Sequence, residues 1–198
     1  MKKILIASFF FITNITFGLG QFGYNASSGI AISKNVFNIN STSTGYLEEY
    51  FIQLSPNYTL NQILSFSINL QYIGKGSEDG RVKFRSTYLE ALPELEYSII
   101  NKLLIAFGFN YGILLKFENQ IDNKAWTDVR EITNFPFYDI GLSARIQGEY
   151  KNIIIFGRYI HGLKDLTDVS MIDQFGNFVG DVDYYNRTYQ IGIGYKFL

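Results

Sequence analysis

Eight segments of this chain alternate apolar and polar residues with a period of two, and the last is the most informative. From Gln190 to Phe197, Ile191, Ile193, Tyr195 and Phe197 fall on one face; Gln190, Gly192, Gly194 and Lys196 fall on the other. Period two is the signature of a β-strand half buried on one side. Such a strand faces either a protein core or lipid, and that choice decides the class of function.

The other segments lie near 22–36, 48–59, 62–74, 84–99, 102–117, 136–150 and 152–162, with the closing one at 184–197. The third sets Leu64, Phe66, Ile68, Leu70 and Tyr72 against Ser65, Ser67, Asn69 and Gln71. The fifth sets Leu103 through Phe117, at every second position, against Ala106, Gly108, Asn110, Gly112 and Lys116. Connections alternate in length: short at 60–61, 100–101 and 151–152, longer at about 37–47, 75–83, 118–135 and 163–183. The polar face holds Ser, Asn, Gln and Gly with few charges, too few for a solvated surface. The apolar face tends to end in Tyr or Phe, as an interfacial girdle does. The expectation is an all-β, eight-stranded, antiparallel up-and-down transmembrane β-barrel over residues 21–198. A soluble lipocalin-like barrel is the competing fold. Pro93 falls inside the fourth strand, where a missing N–H predicts a bulge.

Residues 1–20 read as a secretory signal peptide: Lys2 and Lys3, a mostly apolar run from Ile4 to Phe17, then Gly18 and Gly20 before a cleavage point at Gln21. Without Lys2 and Lys3, 15 basic residues face 18 acidic ones, and no basic stripe is present, which argues against nucleic acid as a partner. There is no Cys, so disulfides and a lipidated cysteine are excluded. Aromatic residues make up 17% of the chain, with 18 Gly and only 3 Pro, a composition suited to half-buried strands. No apolar run after residue 20 is long enough for a transmembrane helix, so a membrane-spanning form must be a closed barrel.

Several motifs occur in a family-like order: Tyr72-Ile73-Gly74-Lys75-Gly76-Ser77, Tyr88-Leu89-Glu90, Gly108 to Leu115, Asp139-Ile140-Gly141-Leu142, Arg158-Tyr159-Ile160-His161-Gly162-Leu163 and Gly192 to Phe197. In this order they resemble the PorT-like outer-membrane β-barrel family of Bacteroidetes, over most of residues 21–198. One departure is Leu198 after the final aromatic. The resemblance implies a small barrel in the outer membrane of a Gram-negative cell envelope. The family's namesake takes part in type IX secretion; the shared features here are those of the barrel alone.

Gln190, Gly192, Tyr195 and Phe197 resemble the closing-strand signal read by the barrel assembly machinery, which recognises a strand by backbone pairing and alternate side chains. On the polar face, Glu94, Glu96, Arg145 and Arg158 lie at overlapping depths. They predict an interior polar network, joined by Lys116, Asp139 and Glu149. That network is either a proton or ion path or a structural plug, and eight strands enclose an interior that side chains just fill. His161, the only histidine, with Ser170 and nearby acids, invites comparison with lipid A-modifying barrel enzymes, though a triad is recognised by geometry. The plainer reading of His161 is a loop-base or girdle residue. The segment 163–183 carries Asp165, Asp168, Asp173, Asp181 and Asp183 against Lys164, and reads as a solvated loop with a weak calcium hint at Asp181 and Asp183. Trp126, Phe135, Phe175 and Phe178 form either a contact patch or loop packing. The expectation is a non-enzymatic outer-membrane protein, without cofactor or metal, whose partners are outer-membrane lipid, the assembly machinery and an envelope protein.

Overall fold

The computed structural model describes residues 21–37, 44–130, 136–166, 169–172 and 178–197, with backbone only at 21, 37, 169–172 and 178–182. The signal segment, Phe135, Asp168, Asp173, Phe175 and Leu198 lie outside the described residues, as do the side chains of Ser170, Phe178 and Asp181.

The strands are β1 (Gln21–Phe37), β2 (Gly45–Thr59), β3 (Leu64–Asp79), β4 (Val82–Ile100), β5 (Leu103–Ile121), β6 (Thr127–Asp128), β7 (Tyr138–Tyr150), β8 (Ile153–Gly162), β9 (Val169–Ile172), β10 (Phe178–Val182) and β11 (Tyr184–Phe197). Eight long ones close into an antiparallel barrel in the order β1-β2-β3-β4-β5-β7-β8-β11, with β11 pairing back onto β1 from Tyr24–Phe197 to Phe37–Tyr184. Closure leaves no unpaired edge. The first and last barrel strands begin and end at the same rim, beside the short turns at 101–102 and 151–152.

The alternation is expressed as a reversal of the usual arrangement. Outward residues such as Tyr50, Ile52, Ile68, Phe107, Phe109, Ile191 and Ile193 are exposed, whereas Gln71, Asn69, Glu94 and Gln190 are buried. Tyr50 to Tyr58 on β2 and Tyr189 to Phe197 on β11 each span eight residues of this outward face. At ~3.3 Å per residue and a tilt of ~40°, that is an apolar belt about 20 Å tall between aromatic ends.

Four features differ from the sequence expectations. First, 75–83 is strand rather than a long connection: β3 and β4 meet at a two-residue turn, Gly80-Arg81, where Gly80 takes φ +60°. The alternation continues inward through Ile73, Lys75 and Ser77; the polarity of Lys75 and Ser77 suggested a loop, but the barrel interior accepts them. Second, Pro93 makes no bulge. It sits opposite Ile68 on β3, and the β4–β5 register is the same at Ala91–Tyr111 and Glu94–Gly108. The lost N–H is absorbed as a local gap in the ladder. Gly108 lets the backbones close up there, since a Cβ on it would stand 2.0 Å from the Pro93 carbonyl oxygen. Third, the β4–β5 register shifts at two other places: next to the turn, between Ser98–Leu104 and Ile100–Leu103, and between Thr87–Lys116 and Tyr88–Leu114, where Leu115 is the extra residue of β5. Beyond it the faces exchange: Phe117 turns in and Lys116 turns out. Fourth, the segment 163–183 contains a hairpin, β9 with β10.

A further irregularity lies between β2 and β3, where the register shifts between Tyr46–Ser77 and Phe51–Ile73. There Ser33 of β1 reaches across: its hydroxyl accepts from the Gly76 N–H at 2.7 Å and donates to the Gly76 carbonyl at 3.0 Å. The hydroxyl satisfies backbone groups in a stretch where β2 has slipped out of register.

Candidate functional site in the barrel interior

The interior is filled by two charged clusters around an aromatic plug. In the cluster nearer the termini, Glu94 on β4 is the hub, with a fully buried side chain. Arg145 Nε donates to Glu94 Oε2 at 2.8 Å and its Nη2 to Glu96 Oε1 at 2.6 Å. Arg158 lies opposite, with Nε 3.0 Å from Glu94 Oε1, and its Nη1 donates to Gln53 at 2.7 Å and Gln190 at 3.0 Å. Ser143 and Asn69 complete the carboxylate's partners at 2.7 and 3.0 Å. Arg145 also bonds Gln147, which donates to Glu149 at 3.0 Å; Lys196 reaches the same Glu149 at 3.2 Å beside the turn rim.

Above it, Lys75 on β3 is held between Glu90 at 2.5 Å and Asp139 at 2.9 Å, all three side chains fully buried. Gln71 donates to Glu90 at 2.6 Å, and Asn186 donates to Asp139 at 3.0 Å. Gln190 donates to Gln71 at 3.2 Å and so joins the two clusters into one column. Phe51 and Phe156 pack against each other with ring centroids 5.9 Å apart, and Arg158 lies 5.4 Å from the Phe156 ring. Gly192 provides the room: a Cβ there would meet both rings at under 3 Å. A third group sits at the rim away from the termini. Arg85 binds Glu118 through Nε and Nη2 at 3.1 and 2.8 Å and stacks 4.2 Å from Trp126.

Of the residues expected in the network, Glu94, Glu96, Arg145 and Arg158 come together and Glu149 extends them to the mouth. Asp139 belongs to the separate upper cluster with Lys75. Lys116 is a correction: the Leu115 bulge rotates it to the rim, half exposed and 2.7 Å from Glu118. Lys75 was legible had the alternation Asn69, Gln71, Ile73 been carried two residues further. The apolar interior side chains Phe51, Tyr88, Leu114 and Phe156 were not, because they occupy positions the pattern assigns to polar residues. Of the closing-strand signal, Gln190 and Gly192 point inward, and Tyr195 and Phe197 point outward with their rings 5.3 Å apart. Trp126 packs on Arg85. His161 lies on the outer wall, its Nδ1 3.3 Å from the Tyr159 hydroxyl. Among the described residues no group of three or more His, Cys, Asp or Glu could hold a metal ion.

The chemistry of this interior is that of ion pairing, balanced in the lower cluster and with two carboxylates sharing one ammonium in the upper. Carboxylates and cations alternate along the column, and each hub spends its lone pairs or protons on neighbours. A buried charge is tolerated only when so paired.

No family model matches the chain, and no curated protein matches it. Its fold is similar to that of Ail, the attachment invasion locus protein of Yersinia pestis, solved with the heparin analogue sucrose octasulfate: TM-score 0.50, 14% identity, covering 88% of this chain and 99% of that one. Neisserial surface protein A gives a TM-score of 0.49 at 12% identity, covering 90% of this chain and 99% of that one. OprG from Pseudomonas aeruginosa gives 0.44 at 11%, covering 91% and 98%. At 14% identity the Ail likeness is one of fold, and it agrees with the closed eight-stranded antiparallel barrel seen in the strand pairing.

Proposed function

We propose that this chain is a membrane-spanning barrel of the bacterial outer membrane, non-enzymatic and closed to solutes, with a structural or interaction role. One observation carries the reading: an apolar, aromatic-ended exterior surrounds an interior of buried charges held in ion pairs. A soluble barrel inverts that arrangement. A channel would leave a wetted column, yet Lys75, Glu90, Glu94 and Asp139 have 0–1% of their surface exposed. Export by the segment 1–20 and insertion by the assembly machinery through the closing strand belong to the same proposal. The contacts with a partner fall to the rim elements around β6 and β9–β10 or to the short turns.

Planar-bilayer conductance tests the closed interior. Reconstituted protein should give no stable, uniform current steps, and well-resolved steps would overturn the plug. Fractionation tests the location: recovery in a soluble fraction without detergent would sink the membrane reading.

The motif order resembling PorT-like barrels supports a second reading, an accessory of type IX secretion. Deletion of the gene would then remove a set of secreted proteins from the culture medium; an unchanged secreted profile counts against it. A lipid A-modifying activity depends on His161, whose visible partner is Tyr159. Lipid A from cells expressing the wild type and His161→Ala should be identical under the non-enzymatic reading.

A further inference from the structure

The outer wall is apolar almost everywhere, but on β1, β11 and β8 a row of basic residues crosses it. Lys34 pairs with Arg187, and Arg187 with His161. All three share the outward face, in phase with Ile30, Tyr189 and Ile155, which are 45%, 46% and 59% exposed. Lys34 Nζ stands 4.9 Å from the Tyr46 ring. Among the described residues Arg187 is hydrogen-bonded through one arm: Nη1 donates to the Gly162 and Asn186 carbonyls at 2.8 and 2.9 Å, and the guanidinium lies 5.7 Å from the Tyr185 ring, so Nε and Nη2 are left for a ligand. Histidine donates a hydrogen bond in either charge state. The acids nearby among the described residues lie at the edges of the row: Glu48 beside Ile32 on β2, Asp183, which accepts from the Tyr185 hydroxyl at 3.3 Å, and Asp165, which accepts from the Tyr184 N–H at 2.8 Å.

Immediately below, the next outward row reads Ile32, Tyr189, Tyr159, Ala144 and Phe107 across five strands, and the one after it Ile30, Ile191, Gly157, Ile146 and Ile105. The Tyr159 and Tyr189 rings touch, with centroids 4.9 Å apart, and belong to the aromatic girdle away from the termini. Ala144 and Gly157 are the small residues here, and over them lies a shallow groove of about 480 Å³, walled by Phe107, Ile146, Tyr189 and Ile191. The barrel does not require glycine at 157. A Cβ there would meet nothing closer than 3.9 Å. The groove floor at Gly157 lies four residues below His161, about 13 Å along the strand.

Cations directly above interfacial tyrosines, and an apolar groove directly beneath them, match the two ends of one kind of molecule. We propose that this wall holds an anionic, phosphate-bearing lipid of the surrounding membrane. The phosphate sits at Arg187, His161 and Lys34, and an acyl chain lies in the groove over Ala144 and Gly157. The height of the row is the headgroup level, where basic clusters attract anionic lipids. The inference rests on the membrane-spanning reading.

The test uses the full barrel in an uncharged detergent. It is mixed with dimyristoyl phosphatidic acid, dimyristoyl phosphatidylcholine or inorganic phosphate, and bound molecules are counted by native mass spectrometry. One phosphatidic acid should be retained about 25-fold over phosphatidylcholine, from two unit cations at about fivefold each, and inorganic phosphate should not be retained. Arg187→Gln should lower retention about fivefold, and Gly157→Val should lower it by closing the groove. Both should keep the gel-mobility shift between unheated and boiled samples that reports a folded barrel, since neither position is packed inside. Equal retention of phosphatidylcholine, inorganic phosphate bound as well as the lipid, or retention unchanged in both variants would overturn the site. A protein that stays monodisperse without detergent would instead defeat the membrane-spanning reading beneath it.

Discussion

The two interior clusters use opposite hubs. Near the termini a single carboxylate, Glu94, is clasped by two guanidinium groups, with Glu96 balancing the second arginine. Above it a single ammonium, Lys75, is clasped by two carboxylates, Glu90 and Asp139, and among the described residues no second cation makes an ion pair with either. The formal charges therefore cancel below and leave one excess negative charge above. Forked, delocalised arginines share contacts with several acceptors, Gln53, Gln147 and Gln190 among them, whereas the lysine concentrates its charge at one point. The lower cluster has redundancy, and the upper one depends on a single residue.

That contrast can be broken by experiment, and the largest effect should come from Lys75→Met. It leaves two buried carboxylates facing each other, a loss of about 3–5 kcal/mol in the urea unfolding of the barrel in vesicles. Adding Glu90→Gln and Asp139→Asn to the same protein should recover most of that loss, because the charges requiring a partner are then gone. Glu94→Gln should cost less, about 2–3 kcal/mol, since Arg145 keeps Glu96 and Arg158 keeps its two glutamines. A loss from Glu94→Gln equal to that of Lys75→Met would show that the arginine cluster is no more redundant than the lysine one. Glu149→Gln, at the wet mouth beside Lys196, should cost no more than about 1 kcal/mol and lose even that at high salt. Smallest of all, Lys116→Gln at the rim should change the unfolding free energy by less than about 0.5 kcal/mol. A larger shift would mean that Lys116 points into the barrel after all.

Much of the architecture was legible because one face of each strand has only two kinds of surroundings. The third, fifth and closing segments alternate without error over their membrane-facing lengths; the closing strand runs over the expected 184–197, whereas β3 and β5 start at Leu64 and Leu103, close to the expected 62 and 102, and continue past 74 and 117 to Asp79 and Ile121. Legibility fails wherever the pairing of a neighbouring strand intervenes. Leu115 is an extra residue only relative to β4, so the inversion of Lys116 and Phe117 is invisible in the β5 sequence itself. Pro93 is tolerated because Gly108 stands nearly opposite, a fact about β5 and not β4. The β3–β4 turn was hidden for another reason: Lys75 and Ser77 look like loop residues until a buried acid on another strand is there to receive the lysine.

Alternation alone, summed over eight segments, determined that this chain forms long antiparallel strands with an apolar outer face and a sparsely charged inner one. It did so because a period of two leaves each side chain only two directions. Which charges meet was decided by the closed tertiary structure. Lys75 and Asp139 are 64 residues apart, and Arg158 and Gln53 are 105 apart. Such pairs depend on the register of every strand between them, and on bulges that a strand acquires only from its neighbour.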